Sequence, residues 1–155
     1  MAVRCSDSRG ARIVAAARAW IGTPYCHQAS CRGAGADCLG LIRGVWREVV
    51  GPEPVPVGPY SADWTVSDGR EVLLDGIGAH FHTVPSDAAR PGDVLLFRML
   101  KQQPARHLAI LAEGHPDDPN ATMIHVYSGH TTCETHLTVP WRRRLTSACR
   151  YPMPI

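Results

Sequence analysis

Asp37-Cys38-Leu39-Gly40-Leu41 closes a loop rich in Gly, Ser and Cys and opens an apolar run at helical spacing: Leu41, Ile42, Val45, Trp46 and Val49. That reading puts Cys38 in the first turn of a helix. Asp37 becomes its cap, because a short carboxylate ahead of the first turn accepts from backbone N–H groups that have no partner inside the helix. The same unpaired donors, with the positive end of the helix dipole, favour thiolate over thiol there. A cysteine inside an apolar helix is usually a small hydrophobe; one at a loop-to-helix boundary suits a nucleophile. Gly51-Pro52 ends the run.

Upstream, a helical pattern begins at Ser8 and carries Ile13, Val14, Ala17 and Trp20, until Gly22-Thr23-Pro24 stops it. Downstream, residues 52–59 contain four prolines and belong on the surface. A short helix is expected over residues 72–77. After Pro85 the character changes: Arg90-Pro91-Gly92-Asp93 is a turn signal, and short apolar runs follow. Strands are expected at residues 94–97, 107–113, 123–127, 133–139 and 148–151, with a loop at 114–120. Helices first and clustered strands later predict an α+β fold, N-terminal helices packed on a small antiparallel sheet. No repeat or heptad divides the chain, so residues 1–155 read as one domain.

Composition narrows the function classes. A chain of 155 residues with 45% hydrophobic content buries a core without metals or disulfides. Sixteen basic against fourteen acidic residues, a formal charge of +2, is too balanced for a nucleic-acid binder. Arg142-Arg143-Arg144 is a local run that reads as a solvated edge or a partner contact. Arg4, Asp7, Arg9 and Arg12 interrupt the opening, and no stretch reaches the roughly 18 apolar residues of a membrane span. The expectation is a protein made in the cytoplasm without a signal of its own. The six cysteines contain no C-x-x-C pair, which argues against a disulfide scaffold. Cys26, Cys31 and Cys38 share one loop, so a zinc-binding module stays open as an alternative, while Cys5, Cys133 and Cys149 read as ordinary thiols.

Partners for a nucleophilic Cys38 stand further along. His107 begins the apolar strand His107-Leu108-Ala109-Ile110, where its ring can project from the end of a sheet, or simply satisfy a strand start. His125 lies inside Met123-Ile124-His125-Val126-Tyr127, and a polar group there needs a partner; a contact with His107 would supply one and fix its tautomer. Tyr25 follows the Gly-Thr-Pro break and either directs its phenol at the nucleophile or covers the end of the first helix. His27, His80, His82, His115, His130 and His136 fall in loops or at edges. Cysteine, base and orienting group together suggest a cysteine hydrolase.

These segments resemble the NlpC/P60 family of cell-wall cysteine peptidases, which carries a rearranged papain-like fold. Four motifs match in order: Ile21-Gly22-Thr23-Pro24-Tyr25, Asp37-Cys38-Leu39-Gly40-Leu41, Arg90-Pro91-Gly92-Asp93-Val94-Leu95-Leu96-Phe97, and His107-Leu108-Ala109-Ile110 followed by Ile124-His125. The resemblance implies Cys38 as nucleophile, His107 as base and then acid, His125 as the polar third member and Tyr25 near the oxyanion and substrate. It implies no metal or organic cofactor. The wording Tyr25-Cys26-His27-Gln28-Ala29-Ser30 and Gly40-Leu41-Ile42-Arg43-Gly44-Val45-Trp46-Arg47-Glu48 is similar to the branch found in tails of phages and gene transfer agents. That likeness implies a peptidase of peptidoglycan stem peptides, at γ-D-glutamyl or diaminopimelate residues, delivered to the periplasm and cell wall in a virion-like particle alongside tail hub proteins. Leu39 stands where many relatives have serine, and the segment 114–120 lengthens the turn between the two histidines, as a specificity loop would. The alternatives are a catalytically silent tail component, and an amidase or acyltransferase of the same superfamily.

Overall fold

The computed structural model describes residues 5–56, 76–100, 102 and 105–152. Helix α1 (Cys5–Arg18) leads through a small hairpin, β1 (Ser30–Cys31) and β2 (Gly35–Ala36), into α2 (Cys38–Val49). Then come β3 (His82–Val84), β4 (Val94–Phe97), β5 (His107–Glu113), β6 (Thr122–His125), β7 (Cys133–His136), a short α3 (Val139–Arg144) and β8 (Leu145–Arg150). Strands β3 to β8 form one sheet in the order β3-β8-β4-β5-β6-β7, antiparallel at every pairing. The α+β class is as the sequence predicts.

Both faces of the sheet are covered, which is why β4 reads as the unbroken apolar run Val94-Leu95-Leu96-Phe97 rather than as an alternation. Val94, Leu96, Leu108, Ile110 and Ile124 meet α1 and α2 through Ile13, Val14, Leu41, Ile42 and Val45. On the opposite face Leu95, Phe97, Ala109, Leu111 and Met123 pack with Leu137, Trp141 and Leu145. The two helices approach closely because Gly44 has no side chain: a Cβ there would run into the indole of Trp20. At the C-terminal side, the Tyr151 hydroxyl donates to the Ile42 carbonyl at 2.9 Å, and its ring joins Phe81 and Trp46.

Several boundaries differ from the sequence reading. The strand expected at 133–139 stops at His136, since Pro140 cannot donate to a ladder and instead starts α3. The strand expected at 148–151 runs from Leu145 to Arg150 and enters the sheet between β3 and β4, where Arg150 holds Asp93 through two hydrogen bonds of 2.8 Å. Strand β3 and the β1–β2 hairpin are further additions. Of the helix expected over residues 72–77, residues 72–75 lie outside the described residues and residues 76–78 are helical. Among the described residues, no helix is long and apolar enough to cross a membrane.

Candidate active site

Helix α2 starts at Cys38, and Asp37 caps it with extended backbone (φ −100, ψ −176) and its carboxylate accepting from Gly40 N at 2.7 Å. The other carboxylate oxygen accepts from Gln28 N at 2.8 Å, and Gln28 adopts the left-handed conformation (φ 66). The Ala29 carbonyl occupies the space a Gly40 Cβ would need. In Asp-Cys-Leu-Gly, then, the aspartate ties the preceding loop to the first turn and the glycine lets that loop lie against it. The nucleophile candidate sits on a clamped turn.

Tyr25 is placed by the segment before that loop. Thr132 N donates to the Thr23 carbonyl at 2.8 Å, Tyr25 N to His130 O at 3.1 Å, and Ala36 N to Pro24 O at 3.0 Å. Residues 22–25 are thereby stitched between the loop after β6 and strand β2. The Tyr25 phenol is held above its usual pKa, first by burial and then by the charges of Asp37 and Cys38, which places it in the electrostatic neighbourhood of the sulfur.

Cys38 is 8% exposed, and burial works against the thiolate that the helix start favours. Burial pushes its thiol up to about 12, and the Asp37 charge adds to the rise. The backbone N–H groups of Leu108, Leu39 and Cys38 itself act the other way without reversing it. Removing the sulfur from water costs the anion more than the helix start returns. Burial thus favours the thiol form of Cys38. Its contact with the Leu108 N–H also docks α2 on the start of β5, one residue after His107.

His107 Nε2 lies 2.9 Å from His125 Nδ1, and His125 Nε2 lies 3.1 Å from Thr135 Oγ1. With Nε2 engaged, the ring nitrogen of His107 left for a thiol is Nδ1. The histidines are 5% and 2% exposed, and burial depresses both: His107 to about 3, with a further push from His125, and His125 to about 4. Both rings are neutral at physiological pH. The structure thus brings the two histidines together on the Trp141 side of the sheet, while Cys38 reaches β5 from the α2 side through the Leu108 N–H and Tyr25 lies within the electrostatic reach of Asp37 and Cys38.

Sequence reasoning missed the groups that enclose this pair. Trp141 on α3 packs on both rings, with centroids 5.2 Å from His107 and 5.3 Å from His125; Phe97 lies 6.0 Å from His107 on the same face. Tyr127, 40% exposed and stacked on His130 at 4.0 Å, borders them. The Val139-Pro140 helix start was a usable signal for Trp141, obscured by the arginines after it. Thr135 carried none.

Loop 114–120 does not border the site. It joins β5 to β6 at the Glu113 end, about 20 Å along the strand from His107. It folds on itself, with Asp118 Oδ1 accepting from Asn120 N at 2.8 Å. Arg142, next to Trp141 on α3, donates to its Asp117 carbonyl at 3.2 Å. A cavity of about 320 Å³ lined by Leu39, Ile42, Trp46, Val55, Ile77 and Phe81 includes none of Cys38, His107, His125 or Tyr25. Among the described residues, no group of three or more His, Cys, Asp or Glu is disposed to hold a metal ion.

A family model described as NlpC/P60 family matches residues 22–150. No curated protein matches the chain. Among solved structures, the NlpC/p60 domain of peptidoglycan hydrolase SagA is similar over 90% of this chain and 97% of its own, at 24% identity and a TM-score of 0.61. A lipoprotein-like NLP/P60 family protein from Staphylococcus aureus subsp. aureus Mu50 is 20% identical over 93% of this chain, with a TM-score of 0.59. An NlpC/P60 family protein from Bacillus cereus ATCC 10987 is 16% identical over 92%, with a TM-score of 0.63. The chain spans 41% and 40% of those last two. These likenesses bear on the fold, which agrees with the papain-like expectation.

Proposed function

The chain belongs to the NlpC/P60 family, and from that premise we propose that it is a cysteine peptidase that hydrolyses peptide bonds in the stem peptides of peptidoglycan. The observation that carries the reading is the 2.9 Å contact between His107 and His125, on the strand end against which Cys38 is docked. A buried imidazole pair with one ring nitrogen to spare is what a thiol needs in order to lose its proton on attack. The substrate class is supported by the similar fold of the domain from a peptidoglycan hydrolase.

In this mechanism the resting pair is neutral, because burial disfavours both the thiolate and the imidazolium. As Cys38 Sγ forms its bond to the scissile carbonyl carbon, its proton passes to His107 Nδ1. The tetrahedral oxyanion receives donors from the Cys38 backbone N–H at the helix start and from the Tyr25 phenol. His107 returns the proton to the leaving amine as the C–N bond breaks. Water then attacks the thioester with His107 as base, releasing the acid and the thiol. His125 stabilises the transient imidazolium through its Nδ1.

The finer setting rests on sequence wording alone. Residues 25–30 and 40–48 resemble phage-tail and gene-transfer-agent relatives, so we infer cleavage beside γ-D-glutamyl or diaminopimelate residues and delivery to the wall within a tail-like particle. The test is mass spectrometry of fragments released from purified peptidoglycan by wild type and Cys38→Ala. New stem-peptide fragments from wild type alone establish the peptidase and name the bond. None from either protein, across walls of several chemistries, favours a silent tail component.

A further inference from the structure

The histidine contact does not end at His125. Strand β7 is the edge of the sheet, and its Cys133 pairs with His125 and its Thr135 with Met123, so Thr135 is the diagonal neighbour of His125 on the same face. Its Oγ1 stands 3.1 Å from His125 Nε2, completing a row from Thr135 through His125 to His107. Such a row admits two proton arrangements. With His125 protonated on Nε2, its Nδ1 accepts from His107 Nε2–H and His107 Nδ1 is bare. In the other, the threonine donates, His125 carries its proton on Nδ1, and His107 holds its proton on the nitrogen that should serve as base.

We propose that Thr135 is a positioning residue that selects the first arrangement, its hydroxyl oxygen accepting the His125 Nε2–H so that His107 presents an unprotonated Nδ1 to Cys38. Two features of the site select it. Thr135 is half-buried on an edge strand, so its own proton can turn to solvent while a lone pair faces inward. Its β-branched side chain also restricts χ1, holding the oxygen in place without loss of further freedom. The inference rests on the peptidase reading for its kinetic consequence, but the tautomers themselves are a property of the free protein.

The experiment is nitrogen-15 NMR of histidine-labelled protein, wild type, Thr135→Val and Thr135→Ser, with kinetics on purified peptidoglycan in parallel. The expected spectrum of wild type and Thr135→Ser shows both His107 and His125 protonated on Nε2. Thr135→Val, of nearly the same shape but lacking the hydroxyl, should lose that preference at His125 and His107. Its kcat should fall about tenfold, with KM little changed, and serine should restore it. A wild-type His125 protonated on Nδ1, which needs no variant to observe, overturns the proposal; so does a valine variant with wild-type tautomers. If wild type releases no fragments while the tautomers follow Thr135, the peptidase reading fails and the positioning role stands.

Discussion

His107 Nε2 and His125 Nδ1 are 2.9 Å apart, at most one hydrogen can lie between them, and both rings are neutral at physiological pH. His125 therefore acts on His107 through a hydrogen bond rather than as a charge, and in the arrangement proposed for Thr135 it is the acceptor. His125→Asn can still offer an oxygen to the His107 N–H, whereas His125→Ala leaves it unpaired in a closed site. Stem-peptide release should fall further for alanine than for asparagine. His107→Ala should cost about 10²- to 10⁴-fold, the range of a lost general base, measured as kcat on purified peptidoglycan.

The depressed histidines set the direction of two pH effects. Proton uptake by His107 removes the base, so the acid limb of kcat/KM should lie well below 6.5. Between about pH 3 and 6.5 the unfolded chain also binds more protons at these positions than the folded one, so stability falls as pH drops through that window. Thermal melts from pH 7 to pH 4 should show a steady loss, smaller in a His107→Gln variant. An acid limb at 6.5 or above would mean that water reaches the pair in the working enzyme.

Trp141 supplies much of the cover over the two rings. Trp141→Ala should admit water, relieve the desolvation that depresses both histidines, and move the acid limb upward. The pH profile of the variant checks this separately from any loss of stability.

Alkylation should invert the usual order for a nucleophilic cysteine. Cys26 and Cys31 are exposed, whereas Cys38 is buried with its thiol pushed up to about 12. Mass-resolved labelling with iodoacetamide at pH 7.5 should therefore mark Cys26 and Cys31 well before Cys38. Preferential labelling of Cys38 would show that a thiolate is already formed at rest.

Gly40→Ala and Gly44→Ala probe two contacts on α2. A Cβ at 44 meets the Trp20 ring between the helices, and one at 40 meets the Ala29 carbonyl beside the nucleophile. Overpacking of this kind costs about 1–3 kcal/mol, against a helix-propensity gain of about 1 kcal/mol for alanine over glycine. Both variants should lose denaturant stability; Gly40→Ala should also lose activity beyond its folding defect, because the carbonyl it displaces belongs to the clamp on Cys38.

What was legible in the sequence was what depends on neighbours in the chain. Asp37 before Cys38 gave the cap, and the apolar runs at 94–97 and 108–112 gave two strands; that both faces of these strands are covered comes from the fold. The pull on the Cys38 proton is only half local: a helix start is visible in the neighbouring residues, whereas burial against β5 is set by residues about seventy positions away. Strand β8 was half seen, since Leu145-Thr146-Ser147 has no apolar alternation and is ordered by its neighbours β3 and β4. Thr135 escaped notice because nothing in Cys-Glu-Thr-His marks which hydroxyl will lie diagonal to a histidine one strand over. The loop at 114–120 was seen, but strand direction decides which end of a hairpin it closes.

That loop's position makes the protein an accessible engineering scaffold. Strands β5 and β6 carry their histidines at one end and their connection at the other, so a peptide tag or small fusion domain spliced among residues 116–119 would hang about 20 Å from the chemistry. The enzyme could then be anchored to a bead or followed by fluorescence with its reactive end facing outward.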